Sequence, residues 1–162
     1  MRNFKYIFIC YVVICTLSCK RKVEVSYGVN SVDVYDSKAQ KIKPKNEAEY
    51  ISILYTNLFQ SPISPSILYQ TQNVLYSIGD QSAAKEMLLS NYFNLPGLNI
   101  PSNDYMRNNT EAFIIETYKR FMLRQPNQSE IYFFKKYIEE NSEATVEMVY
   151  TAFAASDEYG FY

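Results

Sequence analysis

The fold is decided by residues 116–159, which read ETYKRFMLRQPNQSEIYFFKKYIEENSEATVEMVYTAFAASDEY. Apolar side chains recur there every three or four positions, the spacing of one face of an α-helix. Pro126 stops a first helix, Asn127 can cap a second, and Glu130 completes a capping box. Ser142 is predicted to open a third helix, so the stretch predicts three consecutive helices. The apolar positions of the third are Val146, Val149, Tyr150 and Phe153.

The same pattern occurs earlier, in residues 47–93. Ser64 is predicted to cap a helix with Pro65 at its first position, and Gly79 and Asp80 mark the next boundary. The apolar stripes that would face the core are Ile51, Leu54, Tyr55 and Leu58; Ile67, Val74, Leu75 and Ile78; and Ala84, Met87 and Leu88, which Asn91 nearly completes.

The two halves are similar in sequence. YTNLFQSPISPSILY, from Tyr55, aligns with YKRFMLRQPNQSEIYF, from Tyr118, when one residue is inserted, and KEMLLSNYF lies over VEMVYTAFA. A three-helix unit this small buries little apolar surface, so the copies are expected to pack together. The sequence predicts an all-α fold: one helical domain, residues 47–162, of two tandem three-helix units, 47–93 and 110–162. Residues 94–109, with Pro and Gly at turn positions, form the linker.

The second unit resembles the helical repeat of bacterial extracellular proteins, which is also similar to the phycobilisome-linker domain. The matching residues are Tyr118, Arg124 and Pro126 in the turn motif and Ser156, Glu158 and Tyr159 in the closing motif. Leu123 stands where that repeat usually has Gly. The resemblance implies an assembly, linker or surface module, and it transfers no catalytic residue.

The residues themselves also favour a structural role for Arg124. A cation in the last turn of a helix can meet the free carbonyls and the negative end of the helix dipole. Asp157 or Glu158 is expected to pair with it. Tyr118 is expected to pack its ring and place its hydroxyl at the rim of the core.

The N-terminus has the layout of a secretory signal. Arg2 and Lys5 precede the uncharged run Tyr6–Leu17, whose helical length of about 18 Å is short for the about 30 Å core of a bilayer. A charged head followed by such a run is typical of a signal peptide. A plain cleaved signal and an uncleaved anchor are alternatives to the lipoprotein interpretation below.

The end of this run, TLSC, resembles the lipobox of bacterial, Bacteroidetes-like lipoproteins. The resemblance implies a signal peptide over residues 1–18, cleavage between Ser18 and Cys19, and a lipid on the sulfur of Cys19. Two or more acyl chains hold a protein stably on a membrane. The expected location is the cell envelope, with the outer membrane favoured. KRK follows Cys19 where surface-exported relatives carry an acidic run, which favours a periplasm-facing position.

Residues 19–46 are predicted as a largely extended basic tether. Residues 20–46 carry a net charge of +4, whereas residues 47–162 carry −7. The tether can be solvated or lie along anionic headgroups, and the solvated form is favoured.

The composition argues against catalysis. The 162 residues contain no His, so the commonest general base and metal ligand is missing. The three cysteines, Cys10, Cys15 and Cys19, all precede the predicted domain. We therefore expect no catalytic residue, no metal site and no small-molecule cofactor, and the acidic domain argues against nucleic acid as a partner.

Aromatic residues suggest an interaction surface. IYFFKKY, residues 131–137, places Tyr132, Phe133 and Tyr137 on one short helix together with a further ring, too many for a single core-facing stripe. Tyr and Phe are enriched at interface cores and can also stack on sugars. The sequence favours a helical adaptor that binds another envelope protein. A binder of glycan or peptidoglycan is the alternative.

Overall fold

The computed structural model describes residues 41–162, and within them the chain is all-α. The predicted signal peptide, the cleavage position at Ser18, Cys19 and most of the tether lie outside the described residues. The helices are α1 (Glu47–Phe59), α2 (Pro65–Ser77), α3 (Gln81–Phe93), α4 (Asn103–Asn108), α5 (Thr110–Met122), α6 (Gln128–Glu140) and α7 (Val146–Ala154), followed by a 3₁₀ turn at Glu158–Gly160. No helix in residues 41–162 is long and apolar enough to cross a bilayer.

Side-chain caps start the helices where the sequence predicts them. The Ser64 hydroxyl accepts a hydrogen bond from the Ile67 amide at the start of α2. Asp80 Oδ1 accepts from two amides at the start of α3, at 2.9 and 3.1 Å. Asn127 and Glu130 form the predicted capping box of α6, with hydrogen bonds of 2.7 and 3.0 Å. These caps satisfy amide groups that a helix start leaves without intrahelical partners.

The first two helices of each unit have equal lengths and start at a constant sequence interval. α1 and α5 are both 13 residues long and start at positions 47 and 110, and α2 and α6 are both 13 residues long and start at 65 and 128. Both pairs are thus 63 positions apart, and the expected one-residue insertion is wrong. The buried pairs on α1 and α5 are Tyr50 and Phe113, Ile51 and Ile114, Leu54 and Thr117, Leu58 and Phe121, and Phe59 and Met122.

Two residues with left-handed backbone repeat at the same interval. Gln60 ends α1 with φ of 55°, and Leu123 ends α5 with φ of 54°. Gly adopts this conformation without a steric penalty, whereas a residue with a Cβ does so at a cost. The turn keeps its geometry with a bulkier residue in both units.

The third helices of the two units end alike but start differently. Phe93 and Ala154 lie 61 positions apart, which matches the alignment of KEMLLSNYF with VEMVYTAFA. However, α7 has nine residues where α3 has 13, and it starts after its N-cap, Thr145. The predicted helix start at Ser142 is therefore wrong.

Arg107 on α4 explains this late start. Its guanidinium donates hydrogen bonds of 2.6 to 3.5 Å to the carbonyls of Ile138, Asn141, Ser142 and Ala144. The Asn103 side chain accepts a hydrogen bond from the Val146 amide at 2.8 Å. Segment 94–109 is therefore more than a linker, because it contains α4 and fixes the chain between α6 and α7.

The two units pack on one another through a shared aromatic core. Tyr159, from the 3₁₀ turn, is fully buried, and its ring meets the Tyr50 ring edge-on at 5.6 Å. The Tyr159 hydroxyl accepts a hydrogen bond from the Asn57 side chain at 3.0 Å. The Tyr50 hydroxyl donates to the Ala154 carbonyl at 3.1 Å. Residues of α1 therefore contact the end of the second unit directly.

The segment before α1 pairs with the C-terminal residues. The Lys45 amide donates to the Gly160 carbonyl and the Tyr162 amide donates to the Lys43 carbonyl, both at 2.8 Å. Pro44 and Phe161 lie opposite one another in an antiparallel bridge. We call residues 43–45 and 160–162 the terminal ribbon. Part of the predicted tether thus belongs to the folded structure.

Candidate functional site

Arg124, from the predicted turn motif, is at the centre of an ion cluster. Its Nε and Nη2 donate to Glu158 at 2.6 and 2.7 Å, and its Nη1 and Nη2 donate to Glu130 at 2.9 and 2.6 Å. The Gln125 carbonyl accepts the remaining Nη1 hydrogen at 3.1 Å. All five donors of the guanidinium are therefore used. Between the two acidic residues that the sequence offered as partners, the structure places Glu158 on Arg124.

Tyr118 and the capping box complete this cluster. The guanidinium lies 4.9 Å from the centre of the Tyr118 ring, and the Tyr118 hydroxyl lies beside the Glu130 carboxylate. Burial disfavours the Glu130 carboxylate, but hydrogen bonds from Arg124 and from the Asn127 amide outweigh it and lower the Glu130 pKa. The cluster joins the end of α5, the start of α6 and the 3₁₀ turn. Every donor of the cation is used within the cluster, and Lys41 lies 3.9 Å from Glu158 beside it, which gives the cluster a structural character.

The predicted aromatic surface on α6 is divided by the structure. Tyr132 and Phe133 are 68% and 63% exposed. Tyr137 is half-buried and packs against the core instead. Phe134, the neighbouring ring, packs 5.0 Å from Phe153. Two of the three predicted surface residues are thus available for contact with a partner.

A second feature, which the sequence did not single out, is an apolar groove between α2 and α3. The cavity volume is about 420 Å³, and no lining residue is charged. Pockets for organic ligands usually measure about 300–1,000 Å³ and are mainly apolar. We call it the α2–α3 groove. The residues that matter below are Ile67, Thr71, Val74, Met87, Leu88 and Tyr92.

The groove contains a buried polar group. Tyr92 is 2% exposed, yet no group in residues 41–162 makes a hydrogen bond of normal geometry to its hydroxyl. Burial raises the pKa of Tyr92 to about 12, and the adjacent Thr71 side chain opposes that rise. A buried hydroxyl without a partner costs free energy, so it marks a place where a bound polar group would be favoured.

The repeat explains why the groove is open. The 63-residue register places Thr71 where the second unit has Phe134, and Val74 where it has Tyr137. Phe134 fills the corresponding space and packs on Phe153, which corresponds to Tyr92. The first unit has smaller side chains at both α2 positions. The groove is therefore the volume that an aromatic ring occupies in the second unit.

Comparison with known proteins adds no further assignment. The chain matches no protein family, curated protein or solved structure. The described residues also contain no cluster of three or more acidic or cysteine side chains that can hold a metal ion.

Sequence periodicity placed the groove residues in the core, and that expectation is wrong for three of them. Ile67, Val74 and Met87 are all exposed on the groove walls. Helical spacing identifies an apolar face, but it does not show whether another element covers that face. One available signal was charge, because no charged residue occurs between Glu49 and Asp80. A surface helix without charges indicates a face that meets a partner.

Proposed function

We propose that the protein is a non-catalytic interaction module of the bacterial cell envelope. Its α2–α3 groove accepts an aromatic or long apolar side chain from another envelope protein. The observation that carries this proposal is the difference between Thr71 in the first unit and Phe134 at the matching position of the second. The Phe134 ring fills a space in the second unit, and Thr71 leaves the matching space of the first unit unfilled. A partner's ring would take the place of the missing one.

The chemistry of the groove supports a protein partner. Uncharged walls favour an apolar side chain, and about 25 cal/mol is gained for each Å² of apolar surface removed from water. The Tyr92 hydroxyl can donate to a backbone carbonyl or accept from an amide of the incoming segment. A helix that inserts apolar side chains into a groove is a recurring mode of protein recognition.

The proposed location rests on the N-terminal sequence. A lipid on Cys19 would hold the domain at the membrane, and residues 20–40 would connect the lipid to the fold. Labelled fatty acid should be incorporated into the wild-type chain but not into Cys19→Ala. Equal incorporation into both would contradict the anchor.

The interaction is tested by filling the groove. Thr71→Phe should abolish co-purification of the partner after mild detergent extraction, because the new ring occupies the binding volume. Asn73→Phe is the matched control, since Asn73 is exposed on the same helix and does not line the groove. The control should retain the partner. If Thr71→Phe also retains it, the groove is not the binding site.

A second candidate is glycan binding through the exposed rings of Tyr132 and Phe133. Exposed aromatic rings can stack on sugars, and this surface is separate from the residues of the groove. The test is retention of the protein on insoluble peptidoglycan. If Tyr132→Ala reduces this retention and Thr71→Phe leaves it unchanged, glycan binding is favoured over the adaptor function.

A further inference from the structure

A second cavity lies between α1, α5 and the terminal ribbon. Its volume is about 230 Å³, below the range usual for pockets that take drug-sized ligands. Its charged lining residues are Lys41, Lys45 and Arg120, and no carboxylate lines it. Lys41 and Lys45 come from the basic segment 20–46, whereas Arg120 belongs to residues 47–162, whose net charge is −7. We call this space the basic cavity.

Nearby carboxylates only partly neutralise these cations. The Lys41 ammonium is 3.9 Å from Glu158, but both oxygens of Glu158 already accept hydrogen bonds from Arg124 at 2.6 and 2.7 Å. Glu49 pairs with Lys43 at 3.7 Å and also caps α1 through the Asn46 amide. Glu158 and Glu49 therefore each contact another group besides the cation of the cavity or its neighbour.

Lys45, like Arg120, forms no ion pair among the described residues, because no carboxylate there lies within 4.0 Å of its ammonium. The ammonium instead donates to the Tyr159 carbonyl and lies 4.0 Å from the centre of the Tyr159 ring. Burial, and then the charge of Lys41, lowers the pKa of Lys45 to about 8, although Glu49 opposes the change. A bound anion would remove this electrostatic cost.

Apart from Asn57, the remaining walls of the cavity are formed by apolar and aromatic residues. Leu123 is 62% exposed at its edge, and Phe161 and Tyr162 of the terminal ribbon are also partly exposed there. The Tyr162 ring lies within 5.5 Å of the ammonium groups of Lys43 and Lys45. Cations beside exposed aromatic and aliphatic side chains are typical of surfaces that meet a membrane interface.

We propose that the basic cavity binds the phosphate-bearing headgroup of an anionic phospholipid. Lys41, Lys45 and Arg120 attract the phosphate, and the exposed faces of Leu123, Phe161 and Tyr162 contact the first carbons of the lipid. The anchor proposed above would bring this face to the bilayer, but headgroup binding does not require the anchor. The α2–α3 groove involves none of the residues of this cavity.

The site is tested by titrating the full chain carrying Cys19→Ala with dihexanoyl phosphatidylglycerol below its micelle concentration. Dihexanoyl phosphatidylcholine and inorganic phosphate are the comparison ligands. We expect binding of phosphatidylglycerol with amide shifts at Leu123, Phe161 and Tyr162 in NMR spectra, and weaker binding of the other two. These shifts locate the site in a protein whose cavity is not mutated. Equal binding of phosphatidylcholine, or shifts elsewhere, would overturn the proposal.

Lys45→Gln gives the second measurement. Loss of one cation near a phosphate should weaken binding of phosphatidylglycerol about fivefold. Lys135→Gln, which removes an exposed cation of α6, is the matched control and should leave the affinity for phosphatidylglycerol unchanged. If both variants weaken binding equally, the attraction is nonspecific and the site is wrong. If inorganic phosphate binds as tightly as the lipid, the cavity is a free-phosphate site instead.

Because the chain carries Cys19→Ala, failure of the lipid anchor does not affect this result. Thr71→Phe, which changes only the groove, should bind phosphatidylglycerol as tightly as the protein with Thr71, so failure of the adaptor function is also distinguishable.

Discussion

Thr71 on α2 occupies the position that Phe134 occupies on α6, and the Phe134 ring lies 5.0 Å from Phe153. Two helices with the same length, cap position and register thus differ in whether a ring fills the space beside the third helix. In the first unit that space is the α2–α3 groove. The difference connects the repeat to the proposed function, because the same fold is closed in one copy and open in the other.

Thr71→Phe should stabilise the protein as well as block the groove. A ring at position 71 would bury apolar surface against Leu88 and Tyr92 without displacing a charge. Substitutions that fill cavities commonly add about 0.5–2 kcal/mol to the free energy of unfolding. Urea denaturation measures the change, with Asn73→Phe as the control that should give no gain. A clear loss for Thr71→Phe would mean that the groove lacks room for a ring.

Removal of the hydroxyl group should change the stability of the protein in opposite directions at two tyrosines. Tyr92→Phe deletes a buried hydroxyl without a hydrogen bond, so we expect a gain of about 1 kcal/mol in the free energy of unfolding. Tyr50→Phe deletes the donor to the Ala154 carbonyl, so we expect a loss of about 1 kcal/mol. Thermal or urea unfolding of both variants tests the pair. A loss for Tyr92→Phe would indicate that its hydroxyl is satisfied in solution.

The two left-handed residues offer a third test. Leu123→Gly and Gln60→Gly relieve a backbone conformation that costs a residue with a Cβ about 1 kcal/mol. Both side chains are exposed, so little packing is lost. We expect each variant to unfold at a higher urea concentration than the wild type. Ser66→Gly, in the first turn of α2, is the control and should lower the stability, since Gly weakens a regular helix.

Much of this fold could be predicted from sequence because the signals are local. Ser64, Asp80 and the Asn127–Glu130 pair identify helix starts through bonds made within three residues. The late start of α7 could not be predicted, because it depends on Arg107, which lies more than 30 positions earlier in the chain. The groove was missed for a similar reason. Its opening depends on what faces α2 across space, and helical spacing alone does not specify that.

Arg124→Lys should destabilise the protein although it keeps the positive charge. An ammonium has three donors and cannot form the paired contacts that the guanidinium makes with Glu130 and Glu158. Arg124 is 8% exposed, and the two carboxylates are more accessible to solvent. We therefore expect the free energy of unfolding to fall by about 2 kcal/mol, which is less than the loss when a fully buried ion pair is broken. Lys136→Ala removes an exposed pair with Glu140 and should cost less than about 0.5 kcal/mol. Equal losses in urea unfolding would show that the Arg124 cluster contributes no more than a surface pair.

Glu130 should make the stability of the protein sensitive to acid. Its pKa in the folded state is lowered, because the hydrogen bonds from Arg124 and Asn127 outweigh the effect of burial. A carboxyl group whose folded pKa lies below its unfolded value of about 4.3 stabilises the fold above that pH. The contribution is lost as the pH falls through the folded pKa. The melting temperature should therefore drop on acidification more steeply in the wild type than in Glu130→Gln. Glu139→Gln is the control, because Glu139 is an exposed carboxylate on the same helix. This variant should show the same dependence of melting temperature on pH as the wild type. A weaker dependence in the control would assign the acid sensitivity to the general charge of the protein instead of the Arg124 cluster.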